Sequence, residues 1–285
     1  MGGIIRNILF VLFIFPLLMS AQSSSSDNVR ICNAKFELAY IKKLSNQPIE
    51  NIITEIGKSF IGTQYGAHSL DKDTNEALVI NLSSLDCTTY IEYVLAISRS
   101  IKKNKNSFDD FKNELTKIRY KDGIVKGFTS RLNYFSDWIY DNEKKGIIKN
   151  ISEELGGVPI KFNVDFMSSH PGLYYQLKNN PEIISTIKNQ EEEISKRKYF
   201  YIPKNKISVV ESKIQSGDLI AFTSDITGLD INHTGIAVKM RDGRIHLLHA
   251  PDVGYKVQIT NEPLTDYISR IKKDSGIIVL KPITP

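Results

Sequence analysis

Cys87 follows Asp86 and opens a run, Thr88-Thr89-Tyr90-Ile91-Glu92-Tyr93-Val94-Leu95-Ala96-Ile97, that is apolar and helix-like. A helix N-terminus gathers unpaired N–H groups and the positive end of the macrodipole. A thiol placed there is drawn toward the thiolate, the form that attacks a carbonyl. A thiolate needs a base, and two downstream segments supply imidazoles: Asn232-His233-Thr234-Gly235-Ile236-Ala237-Val238 and Leu247-Leu248-His249-Ala250. One Cys with His residues on later strands is an arrangement for acyl transfer. The expected roles are Cys87 as nucleophile, His233 as base and then acid, and His249 as the group that orients and polarises His233. The Cys87 N–H is the expected oxyanion donor, and Tyr65 would bring a hydroxyl over the site.

Five histidines compete for these roles: His68, His170, His233, His246 and His249. If the last two His-bearing segments form a hairpin across Met240 to Arg244, His246 sits at the turn, opposite Lys239. It is then about six residues, roughly 20 Å at about 3.3 Å per residue, from His233. His249 lies at the same end of the hairpin as His233, so His249 is the partner and His246 a structural or surface residue. The side-chain period of a strand adds a condition. A two-residue Asp242-Gly243 turn would put His249 on the wrong face, so the connection must be odd in length or bulged.

The elements that must position these groups are legible in outline. Apolar spacing from Phe36 to Phe60 predicts two helices, Gly62 to Ala67 a turn-rich loop, and Leu78 to Leu82 a short strand. Helices are expected over Phe108 to Tyr120 and Ser130 to Glu143, and again after the Asn180-Pro181 cap, over Glu182 to Lys198. In that last helix, Glu192 with Lys196 and Glu193 with Arg197 read as solvated i,i+4 pairs. Trp138, the sole tryptophan, is assigned to the core rather than to a sugar platform. Strands are expected over Gly217 to Phe222, His233 to Lys239, Arg244 to Ala250 and Gly276 to Leu280. Helices first and antiparallel strands last predict an α+β fold, with the Cys87 helix packed on the sheet that carries the histidines.

The chain of 285 residues begins with Arg6, an apolar run from Ile8 to Leu18, and small residues at Met19-Ser20-Ala21. This is the pattern of an export signal over residues 1–21, cut after Ala21, and it predicts a periplasmic or secreted protein. The run is shorter than the roughly 20 residues of a membrane span, so no stable membrane insertion is expected after cleavage, the alternative being a retained N-terminal anchor. Residues 22–285 suit one catalytic domain, beginning with a flexible Ser-rich stretch at Gln22 to Asn28. The formal charge of +5 is scattered among acids, without a basic block interleaved with aromatics, which argues against nucleic acid as partner. Cys32 and Cys87 are the two cysteines, and one disulfide between them is the bland alternative in an oxidising compartment. CxxC, HxxxH and HExxH patterns are absent, so neither metal nor another cofactor is expected.

Several segments resemble one family. Asp86-Cys87, His233-Thr234-Gly235-Ile236 and Leu248-His249-Ala250 are similar to the Cys, His and His motifs of NlpC-type papain-like cell-wall hydrolases. Gly62-Thr63-Gln64-Tyr65 resembles the loop that brings a Tyr to that site. Asn81 to Thr89, Ser130 to Ile139, Phe166 to Pro171 and Gly228 to His233 resemble one branch, the bacterial N-acetylmuramoyl-L-alanine amidase-like proteins. The resemblance implies a papain-like core with a helical insertion at about residues 100–200, and hydrolysis of peptidoglycan or muropeptide fragments. The implied bond joins the lactyl carbonyl of N-acetylmuramic acid to L-Ala. Substrate-binding residues are expected at Tyr65, Asp86, Thr88, Arg131, Tyr134 and Asp230, with Arg131 offering a bidentate grip on a stem-peptide carboxylate. Thr88 stands where the wider superfamily often has Ser, and Asn133 where this branch would have His. The alternatives are an endopeptidase cutting between D-Glu and the diamino acid, and a non-catalytic cell-wall binding protein.

Overall fold

The computed structural model describes residues 15–67, 69–70 and 75–285, with side chains from residue 25 onward. His68 lies outside the described residues, as does the expected leader apart from the backbone of residues 15–21. Helix α1 (Phe15–Ile41) buries Cys32, Phe36 and Ala39, and α2 (Ile49–Lys58) buries Ile49, Ile52, Ile53 and Ile56. This is the spacing of one helix face turned to a core. The stretch expected to be flexible, Gln22 to Asn28, is part of α1. Its end is tied down because Asn28 donates to Ile80 O (2.9 Å) and accepts from Leu82 N (2.7 Å). Those bonds also hold Leu78 to Leu82 in non-strand backbone, against expectation. The nearby pairing is instead a short parallel ladder of β1 (Gln64–Tyr65) with β2 (Ser84–Leu85).

Helix α3 (Cys87–Lys102) starts at a reciprocal capping box. Asp86 Oδ1 accepts from Thr89 N (2.7 Å), and the Thr89 hydroxyl accepts from Asp86 N (3.0 Å). Such a cap contributes about 1 kcal/mol and fixes where the helix begins, hence where Cys87 sits. Next come α4 (Phe108–Arg119), α5 (Phe135–Lys144), β3 (Ile148–Asn150), β4 (Val158–Ile160), α6 (Phe166–Ser169) and α7 (Pro181–Ser195). The helix expected from Ser130 starts only at Phe135; Arg131 instead bridges Tyr120 in extended backbone. The region expected as a helical insertion also carries β3 and β4, which extend the main sheet. The expected pairs on α7 are replaced: Lys196 meets Glu193, and Arg197 reaches Asp137 at 2.6 Å. Trp138 is fully buried and stacked on Phe135, with ring centroids 4.7 Å apart.

The last third adds β5 (Tyr199–Pro203), α8 (Ile207–Val210), β6 (Leu219–Ser224), β7 (Ile231–Lys239), β8 (Ile245–His249), β9 (Gln258–Ile259), α9 (Leu264–Ser269) and β10 (Asp274–Pro282). The antiparallel sheet runs β4-β5-β10-β6-β7-β8-β9, with β3 also on β10. Alternation along the strands splits the core. Ile236, Val238 and Leu248 face the helical layer that includes α3, while Phe222, Ala237 and Leu247 face α8 and α9. The architecture is therefore mixed α+β, as expected. Among the described residues no helix is long and apolar enough to cross a membrane.

Candidate active site

The β7–β8 hairpin meets the parity condition. Lys239 pairs with Ile245 and Met240 N donates to Arg244 O (2.9 Å), leaving the three-residue loop Arg241-Asp242-Gly243. Gly243 has φ +80°, the left-handed residue that such a loop needs. The connection is odd, so His233 and His249 share a face. Their Nε2 and Nδ1 atoms are 2.8 Å apart. Gly235 makes room for this approach, since a Cβ there would stand 3.1 Å from His249 Cβ and 2.6 Å from Leu247 Cδ1. An extra residue on β7 opposite Phe222 and Thr223 forms a bulge beside His233. His246 lies near the turn, bonded to Thr260 O (2.8 Å) and Asp242 (2.9 Å), a structural residue as expected.

Cys87 and His233 line one cavity of about 360 Å³. Because Nε2 of His233 is engaged with His249, Nδ1 is the nitrogen left for the thiol. The next residue, Thr234, points to the opposite face and holds α3 in place through its hydroxyl on Cys87 O (2.8 Å). Sequence analysis passed over Thr234, although its position beside a candidate histidine was the available signal. At the start of α3, Thr89 N and Tyr90 N are used by Asp86, leaving the N–H groups of Cys87 and Thr88. Both cysteines are unpaired, and Cys32 is buried in the core, so the disulfide alternative does not hold.

The electrostatics correct one expectation. Burial, followed by the charge of Asp86, pushes the Cys87 thiol up to about 11, despite opposing hydrogen bonds from Thr234 and Thr88. Burial likewise pushes His233 down to about 4, partly offset by Asp252. Desolvation is the largest cause for both, so each group by itself is held neutral.

The remaining predicted residues all line the cavity, yet most have structural duties. Tyr65 is pinned by its N–H on Tyr255 O (2.7 Å), and its hydroxyl is raised to about 12 by burial and then by Cys87. Thr88 Oγ1 is 4.0 Å from Cys87 Sγ. Asp86 is the α3 cap. Asp230, fully buried, caps α5 instead, accepting from Ser136 N (2.6 Å) and Ile231 N (2.7 Å). Arg131 is buried against Glu76 (3.6 Å) and donates to Leu70 O (3.1 Å), so its charge is already met within the protein. The Tyr134 hydroxyl donates to Glu191 (2.7 Å) and accepts from Met167 N (3.0 Å). Asn133 lines the cavity, whereas His170 stacks on Phe166 at the surface. The wall also contains a buried ion pair that sequence analysis missed, Arg119 Nε to Glu92 Oε2 at 2.7 Å. A lone acid within the apolar run Tyr90 to Ile97 was its signal.

Fold and cavity together define a mixed α+β protein that presents to one cleft a thiol and an imidazole, the latter hydrogen-bonded to a second, buried imidazole. The chain belongs to the N-acetylmuramoyl-L-alanine amidase-like (AmiA-like) family, whose model matches residues 55–277. Among solved structures it is similar to an N-acetylmuramoyl-L-alanine amidase from Bacteroides uniformis ATCC 8492, with 36% identity over 82% of this chain and 98% of that one, and a TM-score of 0.78. A putative xylanase from Bacteroides fragilis is 36% identical over 80% of this chain and 99% of that one, with a TM-score of 0.76. Protein LPG0564 from Legionella pneumophila str. Philadelphia 1 shares the fold at 20% identity, over 94% of this chain and 96% of that one, with a TM-score of 0.67. No curated protein matches the chain. These similarities indicate a peptidoglycan amidase-like protein.

Proposed function

We propose that the protein is an exported cysteine amidase with a papain-like, NlpC-type core, cutting the amide between the lactyl carbonyl of N-acetylmuramic acid and L-Ala. The observation that carries this reading is the 2.8 Å bond between His233 and His249, behind a cavity that His233 shares with Cys87. His233 Nδ1 takes the thiol proton as Sγ attacks the lactyl carbonyl carbon, and the oxyanion accepts from the N–H groups at the start of α3. The imidazolium then protonates the L-Ala nitrogen, the C–N bond breaks, and a muramoyl thioester remains. His233 next deprotonates a water, whose oxygen displaces Sγ and releases the lactyl carboxylate, and the proton returns to the thiol. His249 holds the ring in place throughout.

The xylanase name of one neighbour would need two carboxyl groups flanking a glycosidic bond. The cavity carboxylates are Asp86, Glu92 and Asp230; they serve as helix cap, ion pair and helix cap respectively, which favours thiol chemistry. The leader over residues 1–21 would deliver the protein to the periplasm or beyond, and the N-terminal sequence of the exported form should begin at Gln22. Mass spectrometry of defined muropeptides tests the bond. Peptides beginning with L-Ala support the amidase, whereas fragments beginning with the diamino acid assign the endopeptidase. Cys87→Ala should abolish turnover with the fold intact; unchanged turnover would sink the mechanism.

A further inference from the structure

The hydrogen bond between His233 and His249 admits two proton placements, and one of them makes His233 a base. In the first, His233 Nε2–H donates to His249 Nδ1, so His233 Nδ1 is a lone pair able to take the Cys87 proton. His249 then carries its own proton on Nε2. In the second, His249 Nδ1–H donates, and His233 carries its proton on Nδ1, where it blocks the base. The productive placement needs a home for the His249 Nε2–H. That nitrogen is buried without a nitrogen or oxygen partner. It is a stranded donor in the productive placement and a stranded acceptor in the other, so a group that meets an N–H there tips the equilibrium toward the form in which His233 is the base.

The ring of Tyr267, on α9, packs against His249. Their centroids are 5.4 Å apart and their planes lie at 86°, a perpendicular arrangement in which an N–H can point into a π face. Phe222 continues the same aromatic wall, 5.6 Å from His233 and 6.3 Å from Tyr267. The fully buried Leu264 and Ile268 seat α9 against the sheet. We propose that Tyr267 is a positioning residue whose ring accepts the His249 Nε2–H and so selects the tautomer in which His233 is the base. This rests on the roles proposed for Cys87 and His233. The titratable groups around the assembly are Cys87 and Asp86 at the head of α3, Asp252 after β8, Glu262 before α9 and Asp274 on β10. None of them gives His249 Nε2 an oxygen.

Imidazole ¹⁵N NMR and the pH profile of Cys87 alkylation by iodoacetamide test the proposal. Wild-type His249 should be the Nε2–H tautomer; finding the Nδ1–H form overturns the proposal without any variant. Tyr267→Leu should switch His249 to Nδ1–H and lower both alkylation at neutral pH and kcat by about tenfold, with KM unchanged. Tyr267→Phe, which keeps the ring, should rescue all three. A Tyr267→Leu protein with a wild-type tautomer and profile overturns the role of Tyr267, provided that His233→Ala suppresses alkylation. If His233→Ala is silent as well, the base assignment itself falls, and the inference with it.

Discussion

Gly235→Ala puts a methyl group between β7 and β8 where the two imidazoles meet. The new Cβ would stand 2.6 Å from Leu247 Cδ1, 2.7 Å from Leu247 Cγ and 3.1 Å from His249 Cβ. Carbon atoms rest comfortably at about 3.5–4.0 Å, so something must give by about 1 Å. Leu247 is fully buried in the layer with Phe222, Ala237 and Leu264 and cannot swing into solvent. Overpacking of this kind costs about 1–3 kcal/mol, a fall in Tm of roughly 2–10 °C for a chain of this size. His249 shares the displacement, and a shift of about 0.5 Å takes its 2.8 Å bond to His233 out of good hydrogen-bond range. Misplacement on the ångström scale at a reacting group can cost about 10²-fold, so kcat/KM on a defined muropeptide should drop by roughly 10- to 100-fold. Thermal unfolding and steady-state kinetics read the two effects separately. Adding Leu247→Ala should recover part of the stability lost to Gly235→Ala, a coupling visible in the double-mutant cycle. A Gly235→Ala protein with wild-type Tm and kcat/KM would refute the close-approach reasoning.

Burial holds His233 at about 4 and His249 at about 2, so below about pH 6.5 the unfolded chain binds protons that the native state refuses. Stability, complete above that pH, should fall as pH drops from about 6.5 toward 4; urea midpoints at about pH 7.5 and 4.5 measure it, and a His233→Gln/His249→Gln variant should flatten the slope. Arg119→Met strands the buried Glu92 carboxylate and should cost about 3–5 kcal/mol by chemical denaturation, most of it regained on adding Glu92→Leu. Asp230→Ala removes the acceptor for Ser136 N and Ile231 N and should lower stability by about 1–3 kcal/mol in the same assay. In the native protein, iodoacetamide should label Cys87 and spare Cys32, whose thiol burial raises to about 12, as peptide mapping would show.

Local signals were enough for much of this. Asp86 ahead of an apolar run located the start of α3, Asn180-Pro181 located α7, and alternation with an Asp242-Gly243 turn located the β7–β8 hairpin. Distance along that hairpin separates His249 from His246 in the sequence itself, because strand rise is nearly constant. The readings that failed depend on partners distant in sequence. Residues 130–134 carry helical spacing, but Arg131 pairs with Tyr120 and Glu76, and α5 is capped by Asp230 from 94 residues away. The Ser-rich stretch at Gln22 to Asn28 is tied down by Asn28 bonding across 52 residues to Ile80.

The sequence by itself singled out the residues whose types could carry chemistry, the order of most helices and strands, and the parity condition on the hairpin. Each follows from capping, periodicity or the strand repeat, which act between near neighbours. Tertiary structure decided how the groups behave. Packing desolvates Cys87 and His233, pairs Arg131 and Arg119 with carboxylates, and sets the ring of Tyr267 against His249. Burial and long-range contact have no local signature, because they exist only once the sheet and its two layers have closed around those residues.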